Sequence, residues 1–342
     1  MSADDPQARQ ARQKLTAHRG KATWGERLVP LETFRKAARS AGRRLDEDAR
    51  HAAVSRFLAR SLDPTPVEGP FRKVAVFGGV YSNHFALTAL LAEARREGCE
   101  AIFCLGDLGG FGPNPEKCWP ILLRNDVRCL QGNYEQSLAS GREDCDCGYT
   151  DPRDNHFAAL SYRYTAERCS PEFKTWMGKL PRRRRILVGP HVGDDPYGPR
   201  GHELLLAHGS PRKTNEFLFD SATSDAALER LCDQERCEGF LVTHSGLPWL
   251  RTLPSGRQVL NVGVIGRPAN DGSTSVWWAV VSSEEAGALR ARLRTLVYDH
   301  EALAREMRAE RLPEEFVKTT LTGWWTTCLE ILPAKERARG RF

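Results

Sequence analysis

The sequence AIFCLGDLGGFGPNP, residues 101–115, runs from a short apolar segment into a turn rich in glycine and proline. Its first five residues are apolar and include aromatic and β-branched side chains, which predicts a buried strand. The strand ends where Gly106 and Asp107 begin the turn. Asp107 is therefore a carboxylate carried on a loop at a strand end, and we treat it as a candidate site residue.

The same design occurs on both sides of this stretch. The apolar run 74–77 ends at Gly78-Gly79, and the run 128–130 ends just before Gly132-Asn133. Helical spacing of apolar residues separates the three runs. Strands that alternate with helices predict βαβ units and a parallel sheet, and ligands collect at the carboxyl ends of such strands. The sequence therefore predicts an α/β fold with its site at that edge.

The second half of the chain contains five further predicted strands with few helices between them, which favours a more antiparallel sheet. They cover residues 185–188, 203–207, 239–243, 258–262 and 275–281. His208 and His244 stand at the ends of two of these strands, as Asp107 and Asn133 do in the first half. A carboxylate, an amide oxygen and two imidazoles form a mixed shell suited to Mn²⁺, Fe²⁺ or Zn²⁺.

Five blocks of the sequence resemble the motifs of calcineurin-like metallophosphoesterases, in the family's order. The family carries Asp-x-His, Gly-Asp, Gly-Asn-His-Asp/Glu, a lone His and Gly-His-x-His. The corresponding blocks are VAVFGGVYSN at 74–83, GDLGGFGPNP at 106–115, GNYE at 132–135, HGSP at 208–211 and THSGLP at 243–248. The resemblance implies a calcineurin-like αββα sandwich of two mixed sheets flanked by helices, with phosphoester hydrolysis at a metal centre.

The resemblance also implies the metal ligands. Matched residue by residue, Asp107, Asn133, His208 and His244 correspond to the family's second metal site. The first site loses its own ligands. Gly79 stands in place of its Asp, Tyr81 in place of its His, and Gly246 in place of the second His of the last motif. Since all losses fall on one site, we expect one divalent transition metal ion (Mn, Fe or Zn). Two metals normally clamp both oxygens of the displacement, so a single ion is a serious departure.

Two replacements for the missing ligands remain open at this stage. Tyr81 is a candidate phenolate ligand, with a packed aromatic as the alternative, and His84 lies close by at the start of a helix. Cys145 and Cys147 form a Cys-x-Cys in a polar segment. They lack further partners at zinc spacing, so we expect a plain loop there.

Other polar residues are candidates for contact with the substrate. Tyr134 stands where the family has a His that contacts phosphate and helps protonate the leaving group, and Asn83 is expected to help orient the phosphoryl group. Arg212, Lys213 and Arg267 lie on loops and are candidates for binding an anionic group, since Arg forms bidentate contacts with phosphate. A solvated loop is the alternative for these three.

Two main functions follow from these residues. The first is a metal-dependent hydrolase of phosphomonoesters or phosphodiesters that uses a single metal site. The alternative is a non-catalytic protein of the same fold with a binding or regulatory role, which the residues at 79, 81 and 246 favour. Chemistry other than ester cleavage at the single metal is a third candidate.

Composition bounds the remaining properties. The 342 residues carry a formal net charge of +6, and no apolar run has the length of a membrane span or signal peptide. We therefore expect a cytoplasmic protein with reduced thiols, no membrane contact and a small phosphorylated or anionic substrate; nucleic acid lacks support from any recognisable module. The predicted parts are a basic helical N-terminal extension with linker (1–72), a metallophosphoesterase-like domain (73–282) and a C-terminal helical extension (283–342).

Overall fold

The computed structural model describes residues 21–24, 27–30, 65–190, 201–284 and 287–339. The first two segments are strands of an antiparallel hairpin, β1 (Lys21–Trp24) and β2 (Arg27–Pro30), in which Lys21 lies opposite Pro30. The sequence predicts no strand before residue 70, so this hairpin corrects that expectation. The helices predicted over 31–41 and 45–62 lie outside the described residues.

The described residues from Pro66 onward form one compact unit. Its strands, within the described residues, are β3 (Val67–Phe71), β4 (Lys73–Phe77), β5 (Ala101–Cys104), β6 (Arg128–Cys129), β7 (Arg183–Val188), β8 (His202–Ala207), β9 (Gly239–Val242), β10 (Trp249–Thr252), β11 (Gln258–Asn261), β12 (Val276–Ser283) and β13 (Leu289–Leu296). Its helices there are α1 (His84–Arg96), α2 (Cys118–Arg124), α3 (Asn133–Ser140), α4 (Pro152–Arg168), α5 (Pro171–Lys179), α6 (Asp225–Glu235), α7 (His300–Ala309), α8 (Glu314–Thr322) and α9 (Ala334–Arg339).

Two mixed sheets form the centre of this unit. The five-stranded sheet has the order β13-β12-β4-β5-β6, in which β4, β5 and β6 are parallel and β12 runs antiparallel to β4. The six-stranded sheet has the order β10-β11-β9-β8-β7-β3, with β8, β9 and β11 parallel. Each sheet thus has a parallel centre, and two strand ends in each carry a predicted site residue.

The two sheets pack face to face through apolar side chains of their strands. Val74, Val76 and Phe103 of the first sheet share one buried cluster with Leu204 and Leu206 of the second. Side chains of a strand alternate between faces, so the residues between them point the other way.

Helices cover the outer faces. Phe77 of the first sheet shares a cluster with Leu87 and Leu90 of α1, and Phe240 of the second sheet shares one with Leu228 of α6. The result is a four-layered sandwich, and the predicted fold class is confirmed.

Two boundaries of the predicted domain differ from the structure. β3, at Val67–Phe71, pairs with β7 and therefore adds a strand before the predicted start at Lys73. β13, at Leu289–Leu296, is an edge strand in a segment predicted to be helical. Its apolar residues alternate with arginines, which is the period of a half-buried strand.

The C-terminal segment also departs from the prediction. A last helix was expected over 314–332, but α8 ends at Thr322, where Gly323 takes the left-handed conformation (φ +74°). The chain then continues without regular structure through Trp325 and Cys328, both buried, before α9. No helix among the described residues is long and apolar enough to cross a membrane.

Candidate metal centre

Four polar side chains meet where strands of both sheets end. Asp107 follows β5, Asn133 begins α3 after β6, His208 follows β8, and His244 follows β9. Asp107 and His244 have left-handed backbones (φ +57° and +54°), which is uncommon for residues with a side chain and tends to occur at functional sites. All four are at least nine-tenths buried.

His208 is the residue around which the others are arranged. Its Nδ1 lies 2.6 Å from the carbonyl oxygen of Leu105 and donates a hydrogen bond to it. Its Nε2 lies 3.2 Å from Asp107 Oδ2, 3.1 Å from Asn133 Oδ1 and 3.0 Å from His244 Nδ1. One nitrogen therefore faces three lone-pair atoms at once.

These distances fit a shared metal ion. Nitrogen and oxygen ligands lie about 2.1 Å from such a metal, so neighbouring ligands at right angles lie about 3.0 Å apart. The nitrogen of His208 carries at most one proton, which cannot satisfy three acceptors. An ion between the four atoms would satisfy all of them, and the mixed donor set suits Mn, Fe or Zn.

A buried carboxylate holds the loops of this centre. Glu135 Oε2 accepts hydrogen bonds from the amides of Asp107 (2.8 Å) and Gly132 (2.7 Å), and Oε1 accepts one from Leu108 (2.8 Å). The loop after β5 is thereby tied to the start of α3. The sequence motif contained Glu135 but gave it no role, although a Glu two residues inside a helix start is a common capping pattern.

The amide of Asn133 is oriented from its nitrogen side. Its Nδ2 donates to the carbonyl oxygen of Cys145 (2.6 Å) and lies 3.3 Å from Cys147 Sγ, which turns Oδ1 toward His208. The sulfur atoms of Cys145 and Cys147 are bonded to each other. The prediction of reduced thiols is therefore wrong at this pair, whereas the other eight cysteines are free. The pair lies in the loop whose carbonyl at Cys145 holds the amide of Asn133.

The electrostatics of the centre depend on a carboxylate and an imidazole in contact. Burial acts to raise the pKa of Asp107, but His208 outweighs it and the pKa is lowered. Burial acts to lower the pKa of His208, but Asp107 outweighs it and the pKa is raised. Burial and His208 lower the pKa of His244 to about 3. His244 is therefore neutral at physiological pH, as a ligand must be.

Apolar and aromatic side chains crowd two of the positions that replace the family's first-site ligands. A Cβ at Gly79 would lie 2.7 Å from Val264 Cβ and 2.9 Å from Tyr81 Cζ, and one at Gly246 would lie 3.3 Å from the ring of Trp325. Burial, followed by Asp107, raises the pKa of Tyr81 well above its ordinary value. The ring of Tyr81 packs edge-on against that of Phe111 with 5.0 Å between centroids, as in the packed-aromatic alternative.

Two predicted residues have structural partners instead. His84 lies 3.0 Å from Glu306 of α7 and does not join the centre. Asn83 caps α1: its Oδ1 accepts from Ala86 N (2.9 Å), and its Nδ2 donates to Ile265 O (3.2 Å). Because both ends of the Asn83 amide are engaged, this side chain holds the loop and the helix rather than a phosphoryl group.

Tyr134 lies next to the centre, but its hydroxyl is directed away from it. Its backbone N–H donates to Asp107 Oδ1 (3.3 Å), while its hydroxyl lies 3.0 Å from Ser161 Oγ. Burial raises the pKa of this phenol. Tyr134 therefore contacts the candidate ligand Asp107 through its backbone, and its expected role as a group that contacts phosphate stays a prediction.

The predicted anion-binding residues separate into two places. Arg212 and Lys213 line a cavity that Asn133 also lines. Arg267 is buried elsewhere: it donates to Thr327 O (2.6 Å) and lies over the ring of Trp325, 4.0 Å from its centroid. The prediction that Arg267 binds an anion is thus corrected, because its guanidinium contacts the C-terminal segment instead. The cavity also contains Arg142 and Arg182, which no sequence motif indicates.

Comparisons with known proteins agree with this architecture. No protein-family model matches the chain. An uncharacterized protein of Methanocaldococcus jannaschii is 24% identical over 254 residues, which cover 70% of this chain and 94% of that protein. A crystal structure of a metallophosphoesterase from Sphaerobacter thermophilus is 22% identical with a TM-score of 0.53, and one of a hypothetical protein from Pyrococcus horikoshii is 22% identical with a TM-score of 0.57; each covers 74% of this chain and 99% of its own. Together with the two-sheet sandwich described above, these similarities show that the chain has the fold of the calcineurin-like metallophosphoesterases.

Proposed function

We propose that the protein is a hydrolase of phosphoesters that works with a single divalent transition metal ion held by Asp107, Asn133, His208 and His244. The observation that carries the proposal is the approach of three ligand atoms to within 3.2 Å of His208 Nε2. When bound, such an ion polarises a phosphoryl oxygen and lowers the pKa of water toward neutrality.

The chain's own residues would hold and shield that ion. Glu135 and the carbonyl of Leu105 fix the loop of Asp107 and the ring of His208. Orientation of this kind is what keeps ligands in a productive geometry. Phe217 stacks on the ring of His244 with 4.2 Å between centroids, and so shields this side of the centre from water.

We propose one ion rather than two because of the residues around Gly79 and Gly246, where the family's first metal site has ligands. Among the described residues, the one group of three or more His, Cys, Asp or Glu side chains with converging ligand atoms is Asp107, His208 and His244. Val264 and Trp325 occupy the space near Gly79 and Gly246. These apolar side chains supply no ligands for a second ion.

A non-catalytic, metal-binding protein of the same fold is the second candidate. The filled first site favours it, because the attacking and leaving oxygens lose one of their two clamps. The engaged hydroxyl of Tyr134 favours it as well. Each factor of ten in lost rate corresponds to about 1.4 kcal/mol of transition-state stabilisation, so loss of one clamp would lower the rate strongly.

Metal content and phosphoester hydrolysis, measured on the same preparation, test the proposal. We expect about one ion per chain by elemental analysis, and metal-dependent hydrolysis of a panel of small monoesters and diesters. Asp107→Asn should abolish hydrolysis, because it weakens the one carboxylate on the ion, while Asp126→Asn at an exposed turn should leave it unchanged. A firmly bound metal without any hydrolysis would support the second candidate, and hydrolysis that survives Asp107→Asn would refute the proposed centre.

A further inference from the structure

A polar cavity of about 210 Å³ lies beside the candidate metal centre and has Asn133 among its lining residues. Four parts of the chain build it: α3 as far as Ser137, the loop at 142–146, Arg182 just before β7, and the loop at 212–215. The segments are tied together. Gln136 Nε2 donates to Thr214 Oγ1 (3.0 Å), and Asn215 Nδ2 donates to the carbonyl oxygen of Asp146 (2.7 Å). These two hydrogen bonds hold α3 and the two loops in place around the cavity.

The charge of this cavity is strongly positive. Its lining contains four cationic side chains and one carboxylate, Asp146. Asp146 lies 3.4 Å from Arg142, and Glu216 binds Arg212 from outside the lining. The other two cations, Arg182 and Lys213, form no ion pair within the part of the chain that the structure describes.

A buried hydroxyl adds a second sign of a ligand. Ser137 lines the cavity and is fully buried, and its Oγ has no hydrogen-bond partner among the described residues. Buried hydroxyls are nearly always paired, so the wall of the cavity keeps one donor that the described residues leave unsatisfied. A hydroxyl donor with unpaired cations nearby is the chemistry that recognises an anion.

The cavity is smaller than the roughly 300–1,000 Å³ of sites that enclose a drug-sized ligand, so it suits an anionic group rather than a whole nucleotide. We infer that it binds a phosphate group separate from the one placed at the metal centre, so that the substrate carries two phosphates. The second half of this inference rests on the proposed function. Asn133 links the two places, because its Oδ1 faces His208 while the residue also lines the cavity.

Calorimetric titration of the full-length chain with inorganic pyrophosphate tests the cavity directly. We expect saturable binding that weakens with salt and falls at least about tenfold in Arg182→Ala/Lys213→Ala, since unpaired cations dominate the recognition. Arg292→Ala/Lys318→Ala removes the same charges from other exposed positions and should bind as the parent does. His208→Ala, or the parent after chelation, should retain binding. Equal affinity in both double variants, or binding lost with the metal, would overturn the inference.

Kinetics separate this inference from the proposed function. The p-nitrophenyl ester of thymidine 5′-phosphate would be compared with the same ester carrying a 3′-phosphate. Arg182→Ala/Lys213→Ala should raise KM at least about fivefold for the second ester and leave the first unchanged. Equal effects on both esters would refute a second phosphate site. If neither these esters nor any member of the panel is hydrolysed, the proposed function fails, while the pyrophosphate titration still decides whether the cavity binds phosphate.

Discussion

His208 presents its two ring nitrogens to different partners. The bond from Nδ1 to the carbonyl oxygen of Leu105 fixes the orientation of the ring and leaves Nε2 facing Asp107, Asn133 and His244. Histidine ligands are usually held by such a bond at the nitrogen that does not bind the metal. Burying these polar groups is unfavourable in free energy, and an ion that binds them offsets this cost.

His208→Ala should therefore remove most of the bound metal and lower metal affinity by at least about tenfold, since the ring contributes one of four ligands. His202 provides a matched control on the same strand, because its ring contacts Gly287 and Glu238 at the far end of β8. Elemental analysis and metal titration of both alanine variants test this. Equal metal content in the two variants would contradict the assignment of His208.

The glycine at position 79 shows why the first metal site cannot be restored by one substitution. Its backbone has φ +47°, and a Cβ there would meet Val264 and Tyr81. We expect Gly79→Asp to lower the free energy of unfolding by about 2 kcal/mol more than Gly98→Asp. Gly98 also has a positive φ (+71°) but no atom within 4 Å of its Cβ position, so its variant carries the backbone strain without the clash.

Urea denaturation of the two variants measures this difference. The clash explains why a return of the missing aspartate would not by itself rebuild a second ion site: the space has been taken by apolar side chains. Equal destabilisation by the two substitutions would mean that Val264 moves aside, and the metal content of Gly79→Asp would then show whether a second ion enters.

At the scale of elements, the start of α3 holds the centre together. Glu135 lies in its first turn and accepts three backbone hydrogen bonds, one of which comes from Asp107. In Glu135→Gln one side-chain oxygen becomes an NH₂ donor that faces backbone N–H groups, so at least one amide loses its acceptor. We expect a loss of about 1–3 kcal/mol in unfolding free energy and weaker metal binding.

Glu116→Gln serves as the control, because Glu116 accepts a single backbone hydrogen bond, from Ser170, that an amide oxygen can retain. Urea denaturation and metal titration of both variants distinguish the two positions. A Glu135→Gln protein with parental stability and metal affinity would show that the carboxylate is not what orders the Asp107 loop.

Elements differ in how far their sequence determines them. The strands before Asp107, Asn133, His208 and His244 are short apolar runs closed by turn residues, and local sequence is enough to predict them. For β13 the sequence predicts a helix, because its leucines and arginines also fit a helical period when the pairing with β12 is not considered. The strands of the hairpin, KATW in β1 and RLVP in β2, mix polar and apolar residues, so no apolar run marks them.

The candidate site likewise has features that local sequence predicts and features that only long-range packing decides. Ligand identity could be predicted because each ligand stands at a strand end within a recognisable motif. The filling of the first metal position could not be predicted, since Val264 and Trp325 come from distant parts of the chain and meet Gly79 and Gly246 through packing alone. For the same reason the sequence indicates Arg267 as a substrate residue, whereas in the structure Trp325 and Thr327 cover it.

At the scale of the whole molecule, the candidate centre joins the two sheets. Asp107 and Asn133 follow strands of the five-stranded sheet, and His208 and His244 follow strands of the six-stranded sheet. An ion bound by all four would therefore link the two halves of the sandwich. Since the unfolded chain does not bring these residues together, ion binding would stabilise the folded state selectively.

Removal of the metal should accordingly lower the melting temperature. At a free-ion concentration one hundred times Kd, binding contributes about 2.7 kcal/mol, which corresponds to roughly 5–10 °C for a domain of this size. Calorimetry of the parent with and without chelator measures the shift. His208→Ala is the control: having lost a ligand from one sheet, it should melt lower than the parent and show little response to chelator. A parent protein that melts at the same temperature in both conditions, or a variant that responds as strongly as the parent, would place any bound metal away from the junction of the two sheets.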